Sequence, residues 1–133
     1  MTDATRILAG IMLISIVTIE FGGFYLTRVA RGLERMTEFQ KNFARAGHAH
    51  AGVLVSLGLI CQLYADQAGL SGAVEWIARL GVPVAAILMP AGFFASSMGR
   101  EVTTAGKLII LVWLGALSLA AGVLALGIGL LTA

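Results

Sequence analysis

Three side chains that can hold a proton or bind a metal lie in otherwise apolar stretches of the sequence: Glu20, His48 and His50. Carboxylate and imidazole groups are common ligands of zinc and of non-haem iron, and the same groups can pass protons. The two histidines are the only ones in the chain and stand two residues apart in RAGHAHAG, residues 45–52. We therefore treat Glu20, His48 and His50 as a candidate metal or proton site.

The spacing of the histidines limits this site. Residues i and i+2 of a helix lie about 200° apart, so His48 and His50 point to opposite faces and cannot bind one metal from a regular helix. The His48 face carries Gly52, Val55, Leu59, Gln62 and Asp66, and the His50 face carries Leu54, Leu57, Cys61 and Tyr64. Three arrangements stay open: a non-helical turn at Gly47, one histidine facing a second subunit, or only one functional histidine.

The elements that must position these residues are predicted to be membrane spans. Of the 133 residues, 59% are hydrophobic and 12% are charged, against about 25% charged in soluble proteins. Crossing the hydrocarbon takes about 20 apolar residues, and four such stretches lie near 7–27, 46–65, 78–98 and 107–131. We predict a single membrane domain over residues 1–133, an all-α four-span helical bundle in a bacterial-type inner membrane.

The basic residues predict the orientation of this bundle. Seven of the nine lysines and arginines lie in residues 28–45 or 100–107, which places both segments in the cytoplasm and both termini outside. Within segment 28–45, apolar residues recur at helical spacing, namely Leu33, Met36, Phe39 and Phe43. This pattern predicts an amphipathic helical extension that lies on anionic lipid headgroups, from Arg28 to Arg45. Since topology already accounts for these charges, nucleic acid is not an expected partner.

The depth of Glu20 is its most unusual property. It lies about 12 Å into the membrane from Arg28, where a carboxylate is stable only when it faces protein or water. His48 and His50 lie about 4–8 Å inside the same boundary, measured from Arg45. We expect Gly22 and Gly23 to let a neighbouring helix approach Glu20. The same end of the bundle supplies four secondary candidates, Ser96, Ser97, Arg100 and Glu101.

Small residues predict how the helices associate. Span four carries a stripe at alternating steps of three and four, made of Gly115, Ser118, Gly122, Ala125 and Gly129. Such stripes allow close helix approach, so we predict a homo-oligomer through this surface. Pro83 and Pro90 predict a kink in span three. A short match between residues 23–27 and 92–96 suggests two repeated helical hairpins.

Four functions from different classes stay open. The site could bind zinc or iron, or it could carry ions or protons in a homo-oligomer. It could hold haem, with a histidine as axial ligand, Arg45 or Arg100 near the propionates, and Met89 or Met98 as the second ligand. The chain could also be a non-catalytic subunit or assembly factor of a larger membrane complex. No hydrolase or transferase motif is visible, and the sequence does not decide whether the protein is an enzyme.

The block from FQKNFARAGHAHAG, residues 39–52, through PAGFFASS, residues 90–97, resembles short, uncharacterised four-helix membrane proteins of bacteria, actinobacteria in particular. The resemblance covers most of the chain. It implies the same number of spans and brings no assigned activity. The expected roles of the site residues therefore follow from their types, spacing and positions in the spans.

Overall fold

The computed structural model describes all 133 residues and contains four long helices and no strand. They are α1 (Asp3–Ala30), α2 (Glu38–Ala65), α3 (Gly72–Ser96) and α4 (Ile110–Thr132). One turn of 3-10 helix, Lys107–Ile109, leads into α4. All four helices are long and apolar enough to cross a membrane, which confirms the all-α, four-helix prediction. The two-hairpin repeat and the orientation stay predictions.

The start of α2 differs from the predicted span. Thr37 and Gln40 form a capping box, in which each side chain bonds to the backbone N–H of the other residue, and this starts the helix at Glu38 rather than near residue 46. Segment 28–45 is therefore not one amphipathic helix. It contains the end of α1, a loop over residues 31–37, and the first two turns of α2. Phe43 in those turns contacts Phe93 on α3, with ring centroids 5.4 Å apart, so this part of the apolar face packs against protein.

The helices pack in chain order, with α1 chiefly against α2, α2 against α3, and α3 against α4. Successive helices run in opposite directions. We call the end that carries residues 28–45 and 97–107 the basic end. Most of α1 is exposed, because α2 covers only one side of it. The core lies between α2, α3 and α4, where Val82 and Ala85 are completely buried.

The closest helix contact joins α3 to α4 and uses the small-residue stripe of α4. A Cβ atom placed on Gly81 would lie only 2.5 Å from the Cα of Gly122, which is too close for any side chain. The two helices can approach this closely because both residues are glycine. The Ser118 hydroxyl donates a hydrogen bond of 2.9 Å to the carbonyl of Gly81. Gly115 packs in the same way against Met89. The stripe is thus occupied within the chain, and a homo-oligomer requires a different surface.

Candidate functional site

Helix register brings Glu20 and His48 to the same depth. Glu20 lies ten residues before the end of α1 at Ala30, and His48 lies ten residues after the start of α2 at Glu38. At 1.5 Å per residue, each side chain lies about 15 Å from the basic end of its helix. This distance is measured from the helix start, which precedes Arg45. The depth of about 4–8 Å from a membrane boundary at Arg45 stays a prediction.

Two glycines of α1 make room for the His48 ring. A Cβ atom on Gly22 would lie 3.3 Å from His48 Nδ1, and one on Gly23 would lie 3.2 Å from His48 Cε1. These distances are tighter than ordinary contacts, so larger residues would push the ring away from α1. The expected close approach near Glu20 is present in the structure, and α2 is the helix that makes it.

Glu20 and His48 line one open groove on the outside of α1 and α2. The groove has a volume of about 550 Å³, and its lining consists of Ile16, Ile19, Glu20, Gly23, Phe24 and His48. Glu20 is exposed and His48 is half-buried. No hydrogen bond or ion pair joins either side chain to another residue in the structure, which contains six ion pairs elsewhere. We call this feature the Glu20–His48 groove.

His50 faces the opposite side of α2. Its ring lies 5.0 Å from the ring of Phe93 on α3, and its Nδ1 is 2.7 Å from the carbonyl oxygen of Ala46. Since a carbonyl oxygen can only accept, Nδ1 is the donor of this hydrogen bond, and Nε2 has no hydrogen-bond partner in the structure. Gly47 lies inside regular helix, so the non-helical turn considered for this position is wrong. The predicted opposite orientation of the two histidines is confirmed.

A metal site within one chain would need more ligands than the groove supplies. No three residues among the histidines, cysteine, aspartates and glutamates come together in a metal-binding arrangement. Protein zinc sites use at least three protein ligands, so Glu20 and His48 alone do not hold zinc in this way. The metal prediction therefore depends on ligands from a second subunit.

The secondary candidates lie outside the groove. The hydroxyls of Ser96 and Ser97 donate to backbone carbonyls of α3, and the carbonyl of Ser97 accepts a hydrogen bond from Gln40 on α2. The Ser97 carbonyl thus fastens the end of α3 to α2. Arg100 and Glu101 line a separate polar cleft of about 720 Å³ at the basic end.

The two methionines proposed as haem ligands also lie elsewhere. Met89 packs against Gly115 at the α3–α4 contact. Met98 lies beyond the end of α3 and is 76% exposed. Neither position places a methionine in the Glu20–His48 groove.

The structure contains a second polar cluster that the sequence did not predict. Arg79 is only 1% exposed, and all three of its guanidinium nitrogens are bonded. Nη2 pairs with Asp66 at 3.0 Å, Nε pairs with Glu75 at 2.9 Å, and Nη1 donates to the Thr5 hydroxyl at 2.8 Å. We call this cluster, with Thr2 and Gln62, the Arg79 network. It joins α1, α2 and α3 at the end opposite the basic end.

Asp66 is held in its charged form by this network. The Thr5 hydroxyl donates to its carboxylate at 2.7 Å, and this bond, with further bonds from Thr2 and Arg79, lowers the pKa of Asp66 well below its usual range. Gln62 is fully buried and donates to the backbone carbonyl of Arg79 at 2.7 Å. The network therefore joins α1 to the core through hydrogen bonds between threonine hydroxyls and a charged pair.

One signal could have revealed this network. Glu75 and Arg79 stand at i and i+4, the spacing of a helical ion pair, and Asp66 follows span two at the same end. The span predicted near 78–98 puts Arg79 at its boundary, where a charge needs no partner. The helix starts at Gly72, so Arg79 lies two turns inside it.

Comparison with other proteins adds no assignment to either polar cluster. No family model, curated protein or solved structure matches this chain.

Proposed function

We propose that this protein is a multi-pass inner-membrane protein in which Glu20 and His48 bind and exchange protons at bilayer depth, in a homo-oligomer. The observation that supports this function is the groove itself. It contains one carboxyl and one imidazole at the same depth, and neither has a partner within the chain. Ionisable residues inside membrane segments commonly serve in proton or ion transfer.

The orientation belongs to the same proposal. Seven of the nine basic residues lie in segments 28–45 and 100–107, so we place the basic end in the cytoplasm and both termini outside. The arginines of segment 28–45 then lie near the headgroups of the inner leaflet, where they attract anionic lipids. The Glu20–His48 groove opens in the cytoplasmic half of the bilayer.

The chemistry of the groove favours protons over a metal. A carboxyl group can hold a proton while its surroundings are dry, and an imidazole can accept that proton and return it. The groove is large enough for water to bridge the two groups, since one water needs only about 30 Å³. Each chain places two ligands there, which is fewer than a zinc or iron site requires.

Proton flux in proteoliposomes tests this function. We expect the parent protein to dissipate an imposed pH gradient, read with a trapped pH-sensitive dye, and Glu20→Gln and His48→Asn to slow that flux about tenfold or more. His50→Asn is the matched control, because it changes the same residue type on the other face of α2. It should keep the parent rate. A Glu20→Gln variant as fast as the parent would contradict the proposal.

Two measurements on the same sample separate the alternatives. A stoichiometric metal that is present in the parent and lost in His48→Asn would indicate that the groove binds a metal instead of exchanging protons. A Soret absorption band would indicate haem. A parent protein with no flux, no metal and no chromophore, purified with a larger complex, would favour the role of a non-catalytic subunit.

A further inference from the structure

The outward face of α1 differs from the outward face of α4 in one respect. Both faces expose large apolar side chains, such as Phe21 and Phe24 on α1, at 72% and 68% exposure, and Leu117 on α4, at 69%. Lipid can cover such residues without a protein partner. Beside Phe21, however, α1 also exposes Glu20, whereas α4 carries no ionisable side chain. A carboxyl at this depth is costly to leave against lipid.

The polar groups of this face are complementary to each other. The groove presents an acid, Glu20, and a base, His48, within the same patch. An interface with two-fold symmetry brings the same patch of both copies together, so it requires a patch that complements itself. A patch with one acid and one base meets this condition. A partner carrying a single basic residue would pair Glu20 and leave His48 unpaired.

We propose that a second copy of this chain docks on the α1 face around Glu20, with Glu20 of each copy paired with His48 of the other. Phe21 and Phe24 pack along the same contact. Glu20 and Phe24 line the groove beside the His48 ring, so a carboxyl that enters the groove from a second copy can reach that ring. The small-residue stripe of α4 cannot make this contact, because it packs against α3 of its own chain.

The inference deepens the proposed function, since it names the partner of the same two residues. It can be tested without measuring protons. In a dimer, the two Glu20–His48 pairs are removed from lipid and from most water, where attraction between opposite charges is stronger than at an exposed surface. The pairing therefore predicts both where two copies touch and which substitutions separate them.

Thiol cross-linking tests the position of the contact. In a Cys61→Ala background, which removes the single native cysteine, Phe21→Cys should form disulfide-linked dimers in proteoliposomes treated with a mild oxidant. Leu117→Cys is the matched control, because it has almost the same exposure and lies on the outward face of α4. We expect about tenfold more dimer from Phe21→Cys. Equal cross-linking at the two positions would overturn the proposal.

A charge exchange tests the pairing. In the Phe21→Cys protein, Glu20→His should reduce cross-linking about tenfold, because it sets imidazole against imidazole, and His48→Glu should do the same with two carboxyls. The double variant, Glu20→His with His48→Glu, should restore the dimer by reversing each pair. Failure of the double variant to exceed both single variants would overturn the pairing. A dimer that forms and carries no proton flux would contradict the proposed function alone.

Discussion

The Arg79 network and the Glu20–His48 groove both place ionisable side chains where α1 meets α2, but they differ in pairing. Every guanidinium nitrogen of Arg79 bonds to a side-chain oxygen, and Arg79 is buried. Glu20 and His48 have no partner and line an open groove. The first cluster is complete within one chain and fastens three helices together. The second is incomplete, so its residues are available to a proton or to a second chain.

The two ends of α1 are attached to the rest of the protein in different ways. At the end opposite the basic end, Thr2 and Thr5 of the α1 start bond to Asp66, and Arg79 joins them from α3. Toward the basic end, the His48 ring packs against two glycines of α1, and no side-chain hydrogen bond joins α1 to α2 there. One end of α1 is therefore fixed by charge-assisted hydrogen bonds, and the other end by close packing alone.

The largest effect should come from breaking the paired cluster. Arg79→Met leaves Asp66 and Glu75 without their cation, and we expect it to lower the free energy of unfolding by about 3–5 kcal/mol. Glu20→Gln also removes one charge from a helix, but it breaks no bond within the chain, so in the monomer it should change that free energy by less than about 0.5 kcal/mol. Unfolding in mixed micelles, followed by tryptophan fluorescence, measures both. If both variants lost the same free energy of unfolding, the paired and the unpaired cluster would not differ in their contribution to stability.

A smaller effect should come from the closest uncharged contact. Gly81→Ala places a methyl group against the backbone of Gly122, and the required shift of α4 should lower the free energy of unfolding by about 1–3 kcal/mol. Gly127→Ala is the control on α4, because its Cβ would meet no atom within 4 Å. It should leave stability unchanged or raise it slightly, since alanine favours helix more than glycine does. A Gly81→Ala variant with an unchanged free energy of unfolding would show that α4 does not pack tightly against α3.

The smallest effect should come from acid. The pKa of Asp66 is lowered in the folded protein, first by the Thr5 hydroxyl, so its contribution to stability is complete above the ordinary aspartate pKa of about 3.9. That contribution is lost as the pH falls further, because the unfolded chain then binds a proton that the folded chain excludes. The effect is modest because Asp66 keeps part of its surface in water. Unfolding midpoints between pH 5 and 2.5 should fall less in Asp66→Asn than in the parent.

The helical periodicity of the sequence predicted much of the candidate site. It predicted that His48 and His50 lie on opposite faces of α2, and the structure places them against α1 and α3. It also predicted the approach of a helix to Gly22 and Gly23. It did not predict the start of α2. The capping box at Thr37 and Gln40 starts this helix eight residues before the predicted span, and a charge-based boundary does not detect a cap.

The sequence by itself determined that the chain has four helices long and apolar enough to cross a membrane, and which residues are candidates. Four apolar stretches of span length, with few charges inside them, leave membrane helices as the natural structure, because backbone groups in lipid must bond within their own segment. Ionisable residues within these stretches can be read directly from the sequence. Glu20 and the two histidines could therefore be identified before any helix was placed.

Only the tertiary structure decided which of these residues meet. Apolar residues flank both Arg79 and Glu20 in the sequence, yet Arg79 is fully paired and Glu20 is exposed. The difference depends on helix contacts between residues far apart in the chain, such as Thr5, Asp66 and Arg79. Local patterns cannot supply these contacts, because each helix could present the same face to lipid or to a neighbour, and only packing selects between them.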